Sequence, residues 1–117
     1  MISNRHRFHG YNSLNSVYKN GKSSRGGLFA IRYALNPKRR KYRVAIIVSR
    51  KVSKSAVIRN RIRRRLYAVV RLLGAQIYQP YDIVITVFSG SLIDESPSDL
   101  SKQVQKQFQE AGIIGKQ

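Results

Sequence analysis

The 117-residue chain contains no cysteine, which excludes a disulfide framework and a thiolate metal site. No stretch approaches the ~20 consecutive apolar residues that cross a bilayer, so no membrane span is expected. Met1 to Arg7 carries charge with no apolar run behind it and does not read as a secretory signal. Acidic residues are scarce: five against 23 Lys and Arg, a formal net charge of +18. Met1 to Tyr81 contains none of the five, although 20 of the 23 basic residues lie there. There is no Gly-rich phosphate loop, no Ser/His/Asp set and no metal-ligand spacing. His6 and His9 have no carboxylate beside them, and Asp94-Glu95 reads as a solvated loop without a nucleophile or base. A catalytic centre, a metal site and a small-molecule substrate are therefore not expected in this chain.

What is present is positive charge on a chain long enough for one domain, taken as residues 1–117. Such self-repulsion destabilises a compact state unless a polyanion belongs to the working form. Nucleic acid, an anionic membrane and an acidic protein all qualify. The basic residues are spread over several elements, which favours nucleic acid. A membrane binder would gather them on one amphipathic helix.

The coarse order is helix, strand, strand, helix, strand, helix. Tyr11, Leu14 and Tyr18 fall on one helical face between Gly10 and Asn20, and Gly21 ends that segment. Ser23 to Gly27 reads as a flexible loop. Leu28 to Leu35 alternates as a strand, with Phe29, Ile31 and Tyr33 on one face and Leu28, Ala30 and Arg32 on the other. Asn36-Pro37 marks a turn, and Lys38-Arg39-Arg40-Lys41 forms a basic tip. Arg43 to Ser49 is apolar almost throughout, as in a strand covered on both faces. Val57 to Leu73 predicts a helix with Ile58, Ile62, Leu66, Val69 and Leu73 as its apolar stripe. Asn60, Arg64, Tyr67 and Arg71 fall opposite, and Gly74 stops it. Tyr81 to Phe88 is another strand. Ser96 caps a last helix with Pro97 at its first position, Asp99 in its first turn, Leu100, Val104, Phe108 and Ala111 buried, and Gly112 at its end. Strands with helices that each offer one apolar stripe imply a two-layer α+β sandwich.

Two constellations carry chemistry. In Arg59-Asn60-Arg61-Ile62-Arg63-Arg64-Arg65, five of seven residues are arginine. Like charges at i,i+3 and i,i+4 repel on a helix, and phosphates would relieve them. Arginine suits that work because its planar fork grips phosphate with two hydrogen bonds and stays charged. Asn60 adds neutral hydrogen bonding that reads a base edge or a 2′-hydroxyl. Just before it, Arg50, Lys51 and Lys54 with Ser49, Ser53 and Ser55 would contact phosphate where the helix dipole also favours an anion. The plain alternative is a solvated helix face, but no nearby acid balances the run. The second constellation interleaves Phe8, Tyr11, Tyr18, Phe29, Tyr33 and Tyr42 with Arg5, Arg7, Lys19, Lys22, Arg25 and Arg32. Rings beside cations suit a single strand, whose bases stack while its phosphates pair. For Phe29 and Tyr33, ordinary core packing stands equally open.

The stretch Arg43-Val44-Ala45-Ile46-Ile47-Val48-Ser49-Arg50-Lys51-Val52-Ser53-Lys54-Ser55-Ala56-Val57-Ile58-Arg59-Asn60-Arg61-Ile62-Arg63-Arg64 resembles the signature of the bacterial ribonuclease P protein. In that family a strand ends in Val-Ser-Lys-Lys-Val, and Ala-Val-x-Arg-Asn-Arg-x-Lys-Arg follows on a helix. Ser16-Val17-Tyr18-Lys19-Asn20-Gly21 is similar to its Val-Phe-x-x-Gly, and Tyr81-Asp82 to its Tyr-Asp strand. The chain departs at Ser13-Leu14, where the family often has Asp-Phe, and at Tyr67, where it often has arginine.

The resemblance implies a mixed sheet packed with helices and a left-handed βαβ crossover, as in the second domain of ribosomal protein S5. It implies an accessory subunit of a cytoplasmic ribonucleoprotein endoribonuclease whose partners are ribonuclease P RNA and the 5′ leader of precursor tRNA. The catalytic groups, with Mg2+, would then belong to the RNA. By position, Arg59, Asn60, Arg61, Arg63 and Arg64, with Arg50, Lys51 and Lys54, fall to the RNA subunit. Tyr18, and less directly Phe29, Ile31, Tyr33 and Arg32, fall to a leader cleft between the first helix and the sheet. Composition alone fits a ribosomal protein or RNA chaperone as well; the ordered motif separates them.

Overall fold

A computed structural model of the protein describes residues 17, 21–38 and 40–115. Four strands, β1 Lys22–Arg25, β2 Phe29–Leu35, β3 Arg43–Val48 and β4 Tyr81–Val87, form one sheet in the order β1-β2-β4-β3. The β1/β2 and β2/β4 pairs are antiparallel and β3/β4 is parallel, so the sheet is mixed. Helix α1, Ala56–Leu73, joins the parallel pair, and α2, Pro97–Ala111, follows β4. Short 3-10 turns occupy Gly74–Gln76 and Gly90–Asp94. This is the expected two-layer α+β sandwich.

Alternation along the strands decides which residues enter the main core. Phe29 and Ile31 of β2, Val44, Ile46 and Val48 of β3, and Ile83, Ile85 and Val87 of β4 all face the helices. They meet Ile62, Leu66, Val69, Val70 and Leu73 of α1 and Leu100, Val104 and Phe108 of α2. Burial of this apolar surface is the dominant force holding the two layers together. The opposite face carries a smaller cluster of Val17, Ala45 and Val84, with Ile47 packed against it. Strand β3 is thus covered on both faces, as its unbroken apolar run implies.

Two expectations need correction. The stretch Ser23 to Gly27 is not wholly a loop, because Lys22–Arg25 pairs with β2 from Lys22↔Tyr33 to Arg25↔Ala30. An edge strand this polar shows no apolar alternation, and its order comes from backbone bonding to its neighbour. Tyr67 does not lie on the solvent side of α1; it is 8% exposed, and Val70 is fully buried. A helix pressed on by both a sheet and a second helix buries a wider arc than one stripe.

The helix ends follow their local signals. Ser55 caps α1 by accepting from the Ile58 N–H at 3.3 Å, and Ser96 caps α2 by accepting from Asp99 at 3.1 Å. Gly112 ends α2 in the left-handed region at φ 80°, where glycine carries no steric penalty. Gly74 has another reason: a Cβ there would stand 2.5 Å from the Tyr42 hydroxyl. The first helical candidate, Gly10 to Asn20, lies outside the described residues except for Val17. Gly21 donates to the Val17 carbonyl at 2.8 Å.

Candidate nucleic-acid interface

The segment leading into α1 is braced before any ligand arrives. Val52 donates to the Ser49 carbonyl at 3.1 Å, and Ser53 Oγ accepts from the Ser55 N–H at 3.2 Å. Arg59 reaches back from the first turn of α1 and donates through Nη1 to the carbonyls of Ser53 at 2.9 Å and Lys54 at 3.1 Å. Ser53, Ser55 and part of the Arg59 guanidinium therefore work for the fold. Arg50, Lys51 and Lys54 project into solvent.

The arginines of α1 divide by the side they face. Arg65 points inward along the helix edge. It donates to the carbonyls of Leu92 at 3.2 Å and Ile93 at 2.6 Å, and to that of Glu95. These carbonyls lie in and just after the second 3-10 turn, so Arg65 ties α1 to the approach to α2. Arg63 is half-buried, and its Nη1 has no hydrogen-bond partner among the described residues. Asn60, Arg61 and Arg64 are exposed on the outer face, and Arg71 continues that side one helical repeat later. From Arg61 to Arg71 the helix rises about 15 Å.

No acid is paired with Arg61 or Arg64 among the described residues. Among the described residues the one ion pair joins Arg43 to Asp82, on the sheet face turned away from the helices. It is bidentate, with Nε to Oδ1 and Nη2 to Oδ2 both at 2.8 Å, and Asn36 adds a bond to Oδ2 at 3.0 Å. Asp82 is therefore fully engaged across the sheet. Burial pushes the Tyr42 hydroxyl above its usual pKa, and the nearby Arg71 charge partly opposes that.

The sheet face opposite the helices is the second candidate surface. Strand pairing aligns Ala30, Thr86 and Ile47 in one row, Arg32, Val84 and Ala45 in the next, and Ala34, Asp82 and Arg43 in a third. Small residues, Ala30, Ala34 and Ala45, alternate there with Arg32 and Arg43. Arg25 lies at its edge with its guanidinium carbon 4.6 Å from the centre of the Phe88 ring.

The cleft expectation fares unevenly. Phe29 and Ile31 are 1% and 0% exposed under the helices, so neither offers surface to RNA. Tyr33 shares their parity and packs edge-to-face on Tyr81, with ring centres 6.0 Å apart. Arg32 alone of the four β2 candidates has the parity of the face opposite α1 and α2. Tyr18 lies outside the described residues. Alternation splits β2 into two faces, but it does not say which of them faces a cleft and which the helices cover. Phe88, 38% exposed, was missed as a possible stacking ring because it follows an apolar run and reads as its last core residue. Among the described residues no three His, Asp or Glu side chains gather as a metal site, and no helix is long and apolar enough to cross a membrane.

Comparison with known proteins points one way. The family model described as Ribonuclease P matches residues 2–112. The chain is 36% identical to the ribonuclease P protein component of Roseiflexus castenholzii over 84% of this chain and 79% of that one. It is 32% identical to that of Synechocystis over 89% and 83%. Its fold superposes on the Staphylococcus aureus RNase P protein with a TM-score of 0.83 at 21% identity, covering 94% of this chain and 98% of that one. For the Thermotoga maritima protein solved with a thiourea compound, the TM-score is 0.72 at 22% identity, over 80% and 89%.

Proposed function

This chain belongs to the ribonuclease P protein family, whose members form part of an endoribonuclease holoenzyme, and from that premise we propose how it divides its two surfaces between two RNAs. The outer face of α1, with Asn60, Arg61 and Arg64, and the preceding Arg50, Lys51 and Lys54 dock on the catalytic RNA subunit. Arg59 and Arg63 flank that contact. The face of the sheet opposite α1 and α2, with Arg32 and the segment that contains Tyr18, receives the 5′ leader of precursor tRNA. The carrying observation is that Arg61 and Arg64 stand exposed on α1 with no acid paired to them among the described residues.

In this reading the chain supplies charge compensation and position, and the RNA supplies the reacting groups. Magnesium ions provide the metal-assisted hydrolysis of the phosphodiester when bound. The described residues offer no carboxylate or histidine cluster that fits such an ion, and this reading assigns the ions mainly to the RNA. Arginine side chains release counterions from the RNA they cover, which favours association and makes it salt-dependent. The chain works in the cytoplasm, where precursor tRNA is made.

The test is reconstitution with the matching RNA subunit at low magnesium. The chain should raise cleavage of a precursor that carries a 5′ leader, and raise it less for one without. No change in either rate or leader affinity would overturn the assignment. Recovery of ribosomal RNA without ribonuclease P RNA after crosslinking in cells would favour a ribosomal protein or RNA chaperone instead.

A further inference from the structure

A groove of about 260 Å³ opens between the turn that joins β1 to β2 and one face of α2, outside both contacts proposed above. Arg25, Gly26 and Gly27 line one wall, and Lys106, Gln107 and Glu110 line the other. Gln107 is the informative member. It is 6% exposed, and its Nε2 donates to the carbonyls of Ser24 and Phe29, both at 3.4 Å. Only the nitrogen of an amide donates to a carbonyl, so these two bonds fix how the group is turned. Its Oε1 is then left buried, with no hydrogen-bond partner among the described residues. A buried acceptor without a donor is costly, and one in the wall of a groove calls for a donor from outside the chain.

Two glycines shape this wall. A Cβ on Gly26 would stand 2.8 Å from the Gln107 Cδ, so glycine there admits the amide. A Cβ on Gly27 would meet nothing within 4 Å, so space remains beside the turn. Lys106 and Glu110 stand four apart on one helical face, both exposed, yet they form no ion pair among the described residues. The walls thus offer a cation, a carboxylate and a buried amide oxygen. A ribonucleotide carries the matching groups: phosphate for Lys106, ribose hydroxyls for Glu110 and a base amine for Gln107 Oε1. The volume lies near the lower limit of ligand pockets, ~300 Å³, which suits one nucleotide and not several. Arg25 joins the groove to the sheet. It pairs with Ala30 and so shares the parity of the face opposite α1 and α2, and its guanidinium lies on the Phe88 ring. A strand that leaves that face at Arg25 meets the groove next.

We infer that this groove receives one unpaired nucleotide of the 5′ leader of precursor tRNA and prefers a base with an exocyclic amine, which donates to Gln107 Oε1. The inference rests on the leader contact proposed for the sheet face. It adds a base-reading subsite on the α2 side of the sheet edge, separate from that face and from the contact made by Arg61 and Arg64.

The experiment uses the holoenzyme, the full chain assembled with its RNA subunit, and measures affinity for precursor tRNAs. Their leaders are uridine throughout except for one adenosine, moved position by position, because uridine has no exocyclic amine. At one position adenosine should tighten binding by about threefold to tenfold, the range of one net hydrogen bond. Purine riboside at that position, which lacks only the amine, should abolish the gain. Gly27→Leu, which fills the groove, should abolish it too, and Lys102→Gln, on α2 outside the groove, should keep it. The inference is overturned if no position is favoured, if purine riboside equals adenosine, or if the gain survives Gly27→Leu at every favoured position. A holoenzyme that binds a leaderless precursor as tightly as one with the all-uridine leader would instead sink the parent reading. Should Gly27→Leu lower the melting temperature, Lys106→Gln with Glu110→Gln, both at exposed positions, takes its place. That pair should weaken binding of the favoured leader about threefold or more, and an unchanged affinity overturns the inference equally.

Discussion

Arg65 and Arg61 stand four residues apart on α1, yet the fold treats them in opposite ways. On the inner edge, Arg65 is bonded to three backbone carbonyls around the approach to α2, and Arg59 likewise braces the loop before the helix. On the outer face, Arg61 and Arg64 are exposed with no acid paired to them among the described residues. An arginine-rich run is therefore not one functional unit. Part of it is internal scaffolding, and the rest is a surface that needs a partner. The sheet repeats the lesson, since Arg43 is bound to Asp82 while Lys38 and Lys41 at the neighbouring tip are not paired with an acid among the described residues.

The largest expected effect tests the engaged side of that comparison. Asp82→Ala leaves the mostly buried Arg43 without its carboxylate and should cost about 3 to 5 kcal/mol of unfolding free energy. Urea denaturation measures it, and a loss below about 1 kcal/mol would mean that water replaces the carboxylate. Arg65→Ala removes a charged donor from three carbonyls and should cost about 1.5 to 3 kcal/mol, with RNA affinity of the folded protein little changed. Should RNA binding fall as much as for Arg61→Ala, the division between inner edge and outer face is wrong.

On the exposed side, Arg61→Ala and Arg64→Ala should each flatten the salt dependence of RNA binding by about 0.7 to 0.9. Their melting curves should stay within about 0.5 kcal/mol of the unaltered chain. An unchanged slope would show that these side chains face water in the complex. The smallest effect concerns pH. Tyr42 has its pKa raised by burial, so its contribution to stability is complete below the unfolded value of 10.0 and is lost as pH rises through the higher folded value. Alkaline unfolding followed by tyrosinate absorbance should shift to higher pH in Tyr42→Phe; no shift would mean that the ring ionises without disturbing its contact with Gly74.

Much of this was legible in the chain itself. The 3.6-residue repeat marks α1 and α2, and serine and glycine mark several of their ends. The unbroken apolar run of β3 announces a strand covered on both faces. The absence of acids before Asp82 announces a polyanionic partner, and the ordered motif from Arg43 to Arg64 carries the family resemblance. These are local signals, because periodicity, caps and charge density are properties of neighbouring residues.

Other features required the folded chain. Tyr67 turns inward because a second helix widens the buried arc of α1. Phe29 and Ile31 leave the cleft because the helices cover their side of the sheet. Arg65 becomes a brace because a segment about thirty residues later supplies its carbonyls. Composition determined that this protein needs an anionic partner, since its charges cannot balance one another. Only tertiary structure decided which cations remain to meet it, since that depends on which distant backbone and side-chain groups reach each guanidinium first.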